Sequence, residues 1–137
     1  AVYAEKMMLE EGWGEQEPEL WLMHYKMSLR GVTNTLLDYG IHVLGTTKEE
    51  ALALMIDEAF QEREEAEGKW RRATLSQVQL TSYYNGFSEI YAFREELKQR
   101  LGDDFSLKDF HNQFLSYGSI PVSTIRELML EDLGLLD

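Results

Sequence analysis

Cysteine is absent from this chain, which excludes disulfides and thiolate metal sites while leaving the redox compartment open. Proline occurs only 2 times and glycine 10 times in 137 residues. Leu, Glu, Met, Ala, Gln and Lys recur instead, so helices are favoured and strands have little support. Positive charge is scarce: 13 basic residues stand against 25 acidic ones, a formal charge of −12. Such a field repels phosphate backbones and anionic lipid, so neither nucleic acid nor a membrane surface is expected as a partner. No apolar run approaches the roughly 20 residues that a bilayer crossing needs, and the start, Ala1 to Lys6, lacks the form of a signal peptide. An initiator Met is missing too. Val2, Tyr3, Met7 and Met8 already follow a helical apolar pattern with no capping residue ahead of them, so we read the chain as cut from a longer polypeptide.

What is present suits a helical core. Hydrophobic residues make up 44% and aromatic residues 12%, enough for one domain spanning residues 1–137. Residues 1–11 read as a helix stopped by Gly12 and Gly14. From Pro18 to about residue 44, Trp21, Tyr25, Leu29, Val32, Leu36, Tyr39 and Val43 recur at spacings of three and four, which predicts a long helix with that stripe facing the core. Thr47-Lys48-Glu49-Glu50 reads as a capping box opening a helix over about 47–66, with Leu52, Met55, Ile56, Ala59 and Phe60 inward. The charged run from Glu62 to Lys69 reads as its solvated end, and 70–76 as a connector or short helix. A second long helix should run from about Val78 to Leu101, a short one from Ser106 to Leu115, and a last one from Pro121 to about Leu133. The expected fold is all-α, a bundle of about five to six helices with two long ones.

The search for chemistry returns little. His24, His42 and His111 lie far apart, no HExxH is present, and no P-loop, dinucleotide turn or nucleophile elbow occurs, so no metal or cofactor site is expected within this chain alone. One polar file stands out: Arg30, Asn34, Asp38 and His42 follow at four-residue steps along the first long helix. They could form local i,i+4 pairs or face a ligand, and spacing alone does not choose. Gly86, in Tyr83-Tyr84-Asn85-Gly86, suggests close helix packing or close approach of a ligand, with packing favoured. A buried tyrosine hydroxyl wants a partner, and such a donor can also stabilise an oxyanion.

Several motifs together carry a resemblance. Tyr3-Ala4-Glu5-Lys6-Met7-Met8-Leu9-Glu10-Glu11-Gly12, Asp38-Tyr39-Gly40-Ile41-His42, Thr47 to Ala51, Gln79 to Gly86, Phe105 to His111 and Gly118 to Pro121 resemble, in order and spacing, the bacterial domain-of-unknown-function family 885. A proline-glycine pair common in that family just before the Gln79 position is replaced here by Gln77-Val78. That family in turn resembles helical zincins such as thermostable carboxypeptidases and angiotensin-converting enzyme. In those an HExxH helix and a later Glu hold zinc.

The resemblance implies that both zinc-binding elements lie upstream of Ala1, that zinc belongs to the full-length parent, and that Glu11 is not a ligand because its register is too far downstream. It further implies that this region is one wall of a peptidase-like cleft within a larger zincin-like fold. His42 and Tyr83 are then candidate substrate or transition-state donors, with Arg30, Asp38, Gln79 and Tyr84 as candidate substrate-binding residues. The expected partners are the upstream part of the same polypeptide, a peptide substrate and, for the isolated piece, a second copy. The competing expectation is a helical interaction or scaffold module with no catalytic ancestry.

Overall fold

The computed structural model describes residues 1–136 and is all-helical, with seven α-helices and no strand among the described residues. Helix α1 (Val2–Glu10) ends just before Gly12. Helix α2 (Pro18–Tyr39) starts with Pro18 in its first turn, where the missing N–H costs nothing. At Gly40 it widens into a π-helical turn, Gly40–Leu44. A Cβ on Gly40 would stand 2.7 Å from Thr46 Oγ1, so any larger residue there would force Thr46 to shift where the chain folds back against the helix end.

The capping box is present: Thr47 Oγ1 accepts from the Glu50 N–H at 3.3 Å, and the Glu50 carboxylate accepts from the Thr47 N–H at 2.8 Å. The helix it opens does not reach residue 66. Helix α3 (Lys48–Ala53) passes into a second π turn, Leu54–Glu58, and the chain then breaks. The Ala59 and Gln61 amides reach back to the Leu54 and Met55 carbonyls at 3.1 and 2.9 Å, wider turns than an α-helix makes. Phe60 takes φ 53° and is 71% exposed, so it does not point inward as the periodicity predicts. The charged run 62–69 is not a helix end but the opening of helix α4 (Arg63–Leu75), which absorbs the expected connector at 70–76. The break lets α4 turn Ala66 and Ala73, both fully buried, onto Ala51, Met55 and Leu37. Burying this contiguous cluster, with Leu80 and half-buried Ile41, Leu52, Ile56 and Trp70, stabilises the first unit.

Helix α2 departs from its expected orientation. Of the seven stripe residues expected to be buried, Tyr25, Leu36, Tyr39 and Val43 are 60%, 51%, 54% and 63% exposed, while Trp21, Leu29 and Val32 are half-buried. The face of α2 that is buried carries His24, Thr33, Leu37 and Asp38 instead. Leu37 and Ile41 supply the apolar contact, and the polar file shares their side of the helix.

Helix α5 (Thr81–Leu101) begins three residues later than expected, because Val78 takes φ 67° ahead of it. Contacts divide the chain into residues 1–85 and 86–137, a boundary that falls inside α5. The second unit continues through a 3-10 turn (Gly102–Asp104), α6 (Leu107–Ser116) and α7 (Val122–Asp132). Its core gathers Phe93, Leu97, Phe110, Ile125, Met129 and Leu130. Phe93 and Phe110 meet edge to face at 5.7 Å between ring centres. Ser106 caps α6 by accepting from the Asp109 N–H, and Arg126 grips both Glu96 carboxylate oxygens at 2.7 Å. Gly86 has open space where a Cβ would stand, so close helix packing does not explain it.

Candidate functional site

The polar file of α2 divides into two halves with different surroundings. In the C-terminal half, Asp38 is 4% exposed, and its carboxylate accepts from the Val78 N–H at 3.2 Å, the Thr81 N–H at 3.3 Å and the Thr81 hydroxyl at 3.0 Å. It thus caps the start of α5 from a position 43 residues away in sequence. It also ties down Val78, whose β-branched side chain makes a positive φ costly. His42, one turn on, donates from Nε2 to the carbonyl oxygens of Ala73 at 2.9 Å and Ser76 at 3.0 Å, where α4 ends. Its Nε2 stands 3.7 Å from Asp38 Oδ1. The two side chains clamp the 73–81 connection, satisfying carbonyls on one side and amides on the other.

The N-terminal half of the file opens onto a groove of about 450 Å³ between α2, α4 and the start of α5. Its polar lining comes from Arg30, Asn34, Glu65, Lys69, Arg72 and Tyr83, with Gly31 and Gly68 on facing helices. Arg30 pairs with Glu65. Lys69 Nζ donates to Gln61 Oε1 at 3.0 Å and Arg72 Nη2 to Gln79 Oε1 at 2.9 Å. Burial, then the neighbouring Arg30, lowers the Lys69 pKa to about 8, with Arg72 adding to the repulsion and Glu65 opposing it. Asn34 Oδ1 is buried and, among the described residues, has no hydrogen-bond partner. Tyr83 is 53% exposed at the groove.

Of the six candidate residues, the groove brings together Arg30 and Tyr83. Asp38 and His42 lie in the clamp, Gln79 holds Arg72, and half-buried Tyr84 is not among the groove's lining residues. Sequence reasoning passed over Lys69 and Arg72. Their signal was the spacing Glu65, Gly68, Lys69, Arg72, one face of a helix over 63–75, hidden by reading that stretch as a helix end. Among the described residues, no three side chains of His, Asp or Glu gather closely enough to hold a metal ion.

No curated protein matches the chain. It is similar to a solved structure from Shewanella oneidensis described as "a putative lipoprotein of unknown function", with 70% identity and a TM-score of 0.90. The match covers 94% of this chain and 24% of that one, so the chain spans about a quarter of that relative's length. The family described as bacterial protein of unknown function (DUF885) matches residues 1–129, and the chain belongs to it.

Proposed function

We propose that this chain is the C-terminal wall of a peptide-binding cleft in a zinc-dependent, peptidase-like protein, and that it performs no hydrolysis alone. The observation that supports this most is the groove, where Arg30, Asn34 and Tyr83 converge from two helices on a space large enough for several residues of an extended ligand. The described side chains do not fit a zinc site, so the ligands would come from the rest of the polypeptide. The part left to this chain is binding and orientation. Arg30 and Asn34 hold the ligand backbone, and the Tyr83 hydroxyl donates to a substrate carbonyl oxygen as charge develops on it. The open stripe of α2 packs on the remainder of the polypeptide, consistent with a relative whose chain is much longer than the matched part.

The experiment is peptide hydrolysis by the full-length polypeptide with zinc added or chelated. Zinc-dependent turnover should appear, and Tyr83→Phe should lower kcat by about 10²-fold with little change in KM. Full turnover by Tyr83→Phe would remove its role, and no zinc-dependent turnover across a mixed peptide library would end the reading. The exposed stripe of α2 also favours a second reading, a helical interaction module without chemistry. That reading requires no HExxH upstream of Ala1, whereas the peptidase reading requires one.

A further inference from the structure

The groove has a charge that the chain as a whole does not. In a molecule with 25 acidic and 13 basic side chains, its lining holds three cations, Arg30, Lys69 and Arg72, against one carboxylate, Glu65. Arg30 is matched by Glu65. Among the described residues, Lys69 and Arg72 are held by the neutral amide oxygens of Gln61 and Gln79, and neither has a counter-charge in hydrogen-bonding range.

Two helix-interior glycines face the same space. Gly31 and Gly68 have no heavy atom within 4 Å of where a Cβ would sit. Packing therefore does not demand them, although each is a poor helix former. What their bare backbones provide is room in the groove.

We propose that this groove binds a peptide carboxylate, with Lys69 and Arg72 as the anion-recognising pair. The carboxylate can be the chain terminus or an acidic side chain. The inference rests on the peptide-cleft reading and narrows its ligand to an anionic one.

The test is calorimetric titration of the full-length polypeptide in the presence of a chelator, so that binding is read without turnover. Three probes are compared: tri-alanine, tri-alanine amide, and N-acetyl-Ala-Glu-Ala amide. Tri-alanine should bind at least about tenfold more tightly than its amide, the ratio expected for one charge-assisted contact. If the acetylated Glu peptide instead shows that advantage over tri-alanine amide, the carboxylate is a side chain and the inference stands. The double variant Lys69→Met, Arg72→Met should erase the preference without lowering the melting temperature, since folding penalises the charge of half-buried Lys69 and Arg72 is exposed. Gly68→Ala, which fills space without touching charge, should weaken tri-alanine severalfold with no loss of melting temperature. Equal affinity for all three probes, no binding of any at millimolar concentration, or a preference that survives the double variant would overturn the inference. Zinc-dependent hydrolysis without carboxylate preference would overturn this inference alone, and carboxylate binding without hydrolysis would overturn only the peptidase reading.

Discussion

Arg30 and Asn34 differ from Asp38 and His42 in how their hydrogen-bonding capacity is met, although all four stand on one helix at the same spacing. Asp38 and His42 have their capacity taken up by the backbone of residues 73–81. Arg30 shares a single pair with Glu65 across an open groove, and Asn34 Oδ1 meets nothing among the described residues. A polar file read from sequence thus mixes groups that hold the fold with groups that have capacity to spare, and counting partners separates them. The sharpest way to test the division is Asp38→Ala against Arg30→Ala. Removing the buried Asp38 carboxylate leaves two backbone amides and a hydroxyl unpaired, so chemical denaturation should show a loss of about 3–5 kcal/mol. Arg30, partly exposed in its pair, should cost about 1 kcal/mol or less. Comparable losses would erase the distinction.

His42→Ala probes the other arm of the clamp. It strips the Nε2 donor from two carbonyls near the end of α4, and the expected loss is about 1–3 kcal/mol. Hydrogen exchange should localise the damage to amides of residues 73–81, with helix α3 protected as before. Uniform loss of protection across the first unit would mean that the clamp is not a local device.

Much of the fold was legible because local rules agreed with tertiary structure. The capping box at Thr47, Pro18 and Pro121 at helix starts, and Ser106 as a cap all depend on neighbours within a few residues. Two features were hidden for physical reasons. The break at Phe60 depends on amides reaching back five and six residues, and no residue type at that point signals a left-handed turn. The orientation of α2 was misread because an apolar stripe says which face avoids water and not which partner covers it, and here the alanine-rich contact with α4 falls on the opposite side. At the site, Arg30 was legible as the first member of the polar file and Tyr83 as part of the Gln79–Gly86 motif. Lys69 and Arg72 were not, since their role appears only when α4 is one helix facing α2.

The spare half of the file also makes a pH prediction. Lys69 titrates at about 8 in the folded chain, below the usual 10.5 for a lysine, because burial and the facing Arg30 disfavour its charge, with Arg72 adding to that effect and Glu65 opposing it. The charged form is therefore penalised by folding. That penalty is complete below about pH 8 and is relieved as pH rises from about 8 to 10.5, so the lysine makes the fold slightly more stable on the alkaline side. Carboxylate binding should run the other way. Affinity for tri-alanine should fall about tenfold between pH 7 and pH 10 as Lys69 loses its proton. Lys69→Met should flatten the profile, and an unchanged slope in that variant would assign the dependence to another group.

Smallest in stability, and most specific to the groove, is the effect of Gly31→Ala and Gly68→Ala. Alanine inside an α-helix is favoured over glycine by about 0.5–1 kcal/mol, mostly because glycine loses more backbone freedom on folding. At both positions the added methyl meets no atom within 4 Å, so no steric cost offsets that gain. Both variants should therefore raise the melting temperature while narrowing the space between α2 and α4 and weakening the ligand. At Gly40 the same substitution should destabilise, because there the methyl would meet Thr46 Oγ1 at 2.7 Å. Glycines kept for packing and glycines kept for an open groove should then separate by the sign of one measurement. A stabilised Gly68→Ala that binds as well as the parent chain would show that the open space between these helices serves no ligand.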